Sequence, residues 1–165
     1  MTDNVSTAVS DLHVAALRTF LIEGPDVWQE QYGEQIKDET DTGYSLLIYC
    51  TLAKAAALKF SPAYSFPQLI RYVADLRLSL EEHAHELNPR VAENTLRLAL
   101  GDKTLSERPP FGVDQVTVVR AQIYLLMALV LDAEFNETEL EQFIRDSGES
   151  AREWVATWWN EARSI

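Results

Sequence analysis

A single cysteine, Cys50, excludes an intrachain disulfide and any zinc site built on cysteine pairs. Its flanks, "LLIYCTLAKAAAL", are apolar, so the thiol reads as a small buried hydrophobe. Glycine and proline are scarce, six of each, which argues against a many-turned β-fold. Lysine and arginine form no run anywhere, and a net charge of −12 repels phosphate backbones, so nucleic acid is not an expected partner. Neither a Gly-x-Ser-x-Gly elbow nor a Gly-rich phosphate loop occurs, which leaves no signature of a serine hydrolase or a nucleotide-binding turn. The longest uninterrupted apolar run, 123–131, is too short to cross a bilayer. No basic-then-apolar start precedes a cleavage site. These absences set the expectation of a cytoplasmic protein with no membrane partner, no cofactor and no catalytic or metal-binding residues.

What is present is helical periodicity. Nearly half of the 165 residues are apolar, enough for a sizeable core. Leu12, Ala15, Ala16, Phe20 and Leu21 recur at helical spacing before Gly24-Pro25. Trp28 and Tyr32 mark a short second helix. Residues 44–59 and 114–134 are apolar on most sides and predict two central buried helices. The second opens with "VTVV", a strand-like run overruled by its length and its Ala-Leu-Met tail. Ser65 is placed to cap a long helix over 66–87, with Pro67 in its first turn. Another helix runs from Asn88-Pro89 to Leu100, and Asn136 with Glu139 forms a capping box. Ser147-Gly148 predicts a break, after which Ser150 caps a last helix. The expected fold is all-α, a bundle of seven or eight helices in one domain over 1–165, with 1–42 a looser N-terminal helical subregion.

Two of the three histidines lie in "LEEHAHELNP". On a continuous helix through 66–87, with Leu80 facing the core, His83 lies about 60° to one side and His85 about 140° to the other. Such rings cannot share a metal. Glu82 and His85 make one Glu-x-x-His, whereas ferritin-like carboxylate sites need two. Arg77 and His83 resemble the Arg-x(4–6)-His element of helical HEPN ribonucleases, which implies an RNA-cleaving pair. That resemblance covers seven residues, has Leu78 where a polar residue is usual, and meets an opposing net charge.

Arg120 and Gln122 interrupt an apolar helix. A buried Arg120 needs an internal carboxylate or an anionic ligand, and Tyr124 and Tyr49 are candidates to line a ligand cavity beside it. Trp154, Val155, Trp158 and Trp159 form a broad apolar stripe expected to seal the bundle, with Trp159 as the candidate interface anchor.

The charge is unevenly distributed. Residues 23–41 hold seven acids and one base, residues 132–149 hold another seven and one, and the rest is neutral. Glu30, Glu34, Asp38, Glu137 and Glu141 are the candidates for an acidic face toward a basic protein partner, and a homodimer is a further possibility. The expected function is a non-enzymatic interaction module: an adaptor, regulator or acidic inhibitor. The alternatives are a helical ligand-binding domain around Arg120 and Tyr124, or a helical enzyme using Arg77 and His83.

Overall fold

A computed structural model describes residues 9–36 and 42–163, with side chains to 157 in the last helix. Every regular element among the described residues is helical: α1 (Asp11–Glu23), α2 (Pro25–Tyr32), α3 (Thr42–Phe60), α4 (Phe66–Ser79), a 3₁₀ segment (Glu81–Glu86), α5 (Pro89–Ala99), α6 (Gln115–Asp132) and α7 (Glu137–Arg163). They group into two compact units. The first draws on 1–51 and 135–165, the second on 52–134.

The first unit is built on α1 and α7, distant in sequence and antiparallel in space. Ser10 caps α1 with its side-chain oxygen on the His13 amide (3.3 Å), and His13 Nδ1 accepts from the Ser10 amide (3.1 Å). Histidine thus fills the glutamate position of a capping box, which explains a buried imidazole at a helix start. Along the pair, Arg18 holds Glu141 at 2.6 Å. One end further, Arg152 donates to the Val9 carbonyl (3.1 Å) and to Asp11 (2.8 Å). Leu17, Phe20, Leu47, Phe143 and Ile144 fill the interior. Trp28 stacks on Tyr44 at 5.9 Å, which anchors α2 to the start of α3.

The break predicted at Ser147-Gly148 does not occur; α7 is continuous from Glu137 to Arg163. The buried Ser147 hydroxyl donates to the Phe143 carbonyl at 2.8 Å, so it stays inside the helix without an orphaned polar group. Gly148 is there for proximity: a Cβ would lie 3.1 Å from Val14 Cγ2 of α1. Glycine here is a spacer between two helices, not a terminator.

In the second unit, α4 stops at Ser79, where continuity to 87 was expected. Glu81 takes a left-handed conformation (φ 52°), and the chain folds back as a 3₁₀ segment. Arg77 stabilises the fold-back: its Nε donates to the Leu87 (2.9 Å) and Ala84 (3.3 Å) carbonyls. Leu87, fully buried, is the apolar anchor. The α-helical wheel therefore does not describe His83 and His85, which have separate partners. His83 Nδ1 lies 3.0 Å from Glu86 Oε1, and His85 Nδ1 lies 2.9 Å from the Glu82 carbonyl.

Tyr72 ties three helices together. Its hydroxyl donates to Asp132 Oδ2 of α6 (2.8 Å), its ring meets Phe60 edge-on (5.4 Å), and Lys59 lies 3.7 Å from the same carboxylate. Burial, with the bond to Asp132, pushes the phenol well above its ordinary range. The loop after α5 folds onto that helix through Asn94 to Glu107 (2.7 Å), Arg90 to Glu107 and Arg97 to Asp102 (2.8 Å).

Helix α6 corrects the expectation of burial all round. Val118, Ala121, Leu125, Leu126 and Leu129 pack inward, but Val116, Met127 and Leu131 are exposed. By length and mean composition alone α6 is long and apolar enough to cross a membrane, although its uninterrupted apolar run covers only 123–131; 28 % of the helix is buried. Cys50 is half-buried.

Two mutational outcomes follow. Leu125→Ala empties a fully buried position and should cost about 2–5 kcal/mol in chemical denaturation. Gly148→Leu should cost about 1–3 kcal/mol by overpacking against Val14.

A pH dependence follows from Asp102. Hydrogen bonds from Thr104 and Arg97 lower its carboxyl from the usual 3.8 to about 2. The unfolded chain takes up that proton first. The contribution is therefore intact above the unfolded value and is lost as pH falls toward the folded one. Denaturation midpoints should drop between about pH 4 and pH 2, and Asp102→Asn should flatten part of that slope.

Candidate functional site

The described parts of the acidic segments fall largely in one unit of the fold. The stretches 1–51 and 135–165 together hold 16 acids and 5 bases, a net of −11. The second unit, 52–134, holds 10 acids and 9 bases, a net of −1. Apart from Asp132 and Glu134, both acidic segments belong to the first unit.

Within it, Asp26 and Glu30 are one turn apart on exposed positions of α2, and Glu34 is exposed just beyond. Stacked like charges at this spacing cost roughly 0.2–0.5 kcal/mol per pair. On α7, Glu137 and Glu139 are exposed in the first turn, where the positive end of the helix dipole favours them. Glu139 is committed to capping: its carboxylate accepts from the Asn136 amide (3.0 Å), and Asn136 Oδ1 accepts from the Glu139 amide (2.8 Å). Glu141 is committed too. Its hydrogen bond and charge pairing with Arg18 hold the carboxyl below the ordinary range, and the same contacts raise the guanidinium. Its role is to join α7 to α1. Glu30, Glu34 and Glu137 remain as open carboxylates of the candidate set, while Asp38 and the Trp159 side chain lie outside the described residues.

Trp154 departs from expectation. It is 52 % exposed, so this part of the aromatic stripe faces outward instead of sealing a core. Two residues earlier, Arg152 bonds Val9 and Asp11 where α7 reaches the start of α1. Trp158, like Trp159, has a side chain outside the described residues.

Arg120 is exposed, which corrects the expectation of a buried cation. It shares a face of α6 with Val116, Ile123 and Met127, opposite the packed Val118 and Leu125. Tyr124 donates to Glu86 Oε2 at 2.6 Å, and Glu86 also engages His83. The bond from Tyr124, then that from His83, lowers the Glu86 carboxyl, and Arg120 adds to this through its charge. The same bond raises the Tyr124 phenol. Tyr49 belongs to the first unit, half-buried, its hydroxyl pushed up by burial. Arg77, the other half of the ribonuclease-like pair, is engaged with backbone carbonyls. The Tyr124–Glu86–His83 array orients an imidazole whose partners among the described residues are Glu86 and Glu82. Among the described residues, no group of three or more His, Cys, Asp or Glu is arranged to hold a metal.

Glu86, 38 residues from Tyr124, has no sequence signal linking it to that tyrosine. The outward turn of Trp154 is equally silent, because i,i+4 spacing marks a face without naming what it faces. Compared with family models, curated proteins and solved structures, the chain matches none.

Because Trp154 is half out of the fold, Trp154→Ala should reduce unfolding free energy by less than about 1 kcal/mol, against the 3–5 kcal/mol typical of a core tryptophan. Denaturant titration of the two proteins checks this.

Proposed function

We propose that the protein is a non-enzymatic interaction module of the cytoplasm that binds a basic protein through its acidic unit. The observation carrying this reading is the segregation of charge: −11 in one unit against −1 in the other. Charge needed only for solubility has no reason to gather in one unit. There it adds self-repulsion, as between Asp26 and Glu30. An acidic face of this kind steers a cationic partner and sets specificity more than it adds affinity. Exposed Trp154 supplies an aromatic contact of the type enriched at binding hot spots.

The experiment begins with affinity capture from the source cell and continues with association kinetics of the purified pair. Glu30, Glu34 and Glu137 are replaced together by glutamine; Glu141 is kept, since losing it would break the pair with Arg18. Association should slow several-fold at low salt, with helicity unchanged, and the wild-type rate should fall as salt shortens the screening length from about 30 Å at 0.01 M to about 8 Å at 0.15 M. A rate indifferent to both salt and substitution refutes the proposal.

A further inference from the structure

Helix α6 carries two apolar faces. The inward one is committed to the second unit. The outward one contains Val116 (43 % exposed), Ile123, Met127 (41 %) and Leu131 (78 %), all within one helical stripe that also holds Arg120. Glu134 follows one residue beyond the helix cap. Neither Arg120 nor Glu134 forms a salt bridge with another described residue.

The order of these residues is symmetric. Ile123 and Leu131 lie four positions either side of Met127, and Arg120 and Glu134 lie seven either side. Along the sequence around this centre the order is cation, apolar, apolar, apolar, anion, with the anion standing just past the end of α6 on a left-handed backbone (φ 52°). An antiparallel copy with its twofold axis at Met127 would set Ile123 against the second copy's Leu131, and Arg120 against the second copy's Glu134. The same patch then serves both sides, as an isologous twofold contact requires. Two opposite-charge pairs flank the apolar centre and fix the direction; a parallel pairing would set like charge against like.

We infer that this face of α6 is the docking surface for a second copy of the chain, paired antiparallel through Met127. A bilayer fits the stripe less well. Arg120 interrupts it, and spanning a bilayer would have to pull Val118, Ala121 and Leu125 away from the packing they already have. The acidic unit contributes none of these residues, so this inference stands or falls apart from the proposal of a basic partner.

Sedimentation equilibrium of the full chain over a concentration series at low salt tests it. Circular dichroism of each variant confirms that the fold is kept. The wild type should show a reversible monomer–dimer equilibrium. Met127→Glu puts like charges across the axis and should weaken the dimer by more than about ten-fold. Arg120→Glu and Glu134→Arg should each weaken it, and the double swap, which exchanges the charges, should restore it. A wild type that stays monomeric overturns the inference. So does a dimer that Met127→Glu leaves unchanged, or a double swap that fails to recover association. Flotation of the wild type, but not Met127→Glu, with phosphatidylcholine vesicles in the absence of dimer would assign the stripe to lipid instead.

Discussion

The approach of α7 to α1 at Gly148 is the contact on which the first unit depends. Its chain comes from both ends of the sequence, so nothing local brings the pieces together. The helices are close because Gly148 offers no Cβ to Val14, and their register is set by Arg18 with Glu141 and Arg152 with Asp11. These pairs are exposed and individually modest in energy. They nevertheless place scarce cations against carboxylates in a unit with 16 acids and 5 bases. Closing a loop across most of the chain carries an entropy cost that grows only slowly with length, so a tight apolar contact with a few charge pairs suffices to hold it.

The second unit relies on buried area and on the satisfaction of backbone groups. Arg77 links the end of α4 to the 3₁₀ segment, since one guanidinium meets the Ala84 and Leu87 carbonyls of the returning chain. From the middle of α4, Tyr72 joins the last turns of α3 and α6 through side-chain contacts with Phe60 and Asp132. The second unit has a net charge near zero and an outward apolar stripe on α6, whereas the first carries nearly all the net charge. The two proposals, self-association through that stripe and binding of a basic partner by the acidic unit, share no residues.

The helical class, the apolar character of α3 and α6, and the capping positions Ser65, Asn88 and Asn136 were legible in the chain. Periodicity and capping are local properties, set within three or four residues by hydrogen-bond geometry and side-chain chemistry. The concentration of acids at 23–41 and 132–149 was equally plain. What those signals do not carry is direction: an apolar residue at helical spacing marks a face, not the object that covers it. Spacing alone therefore puts Trp154 against the core and Arg120 inside a buried helix.

Tertiary structure alone decided four things: that Gly148 separates two helices instead of ending one, that α4 folds back at Glu81, that Glu86 meets Tyr124, and that nearly all the net charge falls in one unit. The fold-back at Glu81 is held over a short span, by Arg77 on the Ala84 and Leu87 carbonyls, while the other three depend on residues far apart in sequence becoming neighbours. Composition and periodicity contain no term for distance in space, so they determined which helices form and where the carboxylates lie along the chain. Packing determined which of those carboxylates are bound to cations and which are left open to solvent.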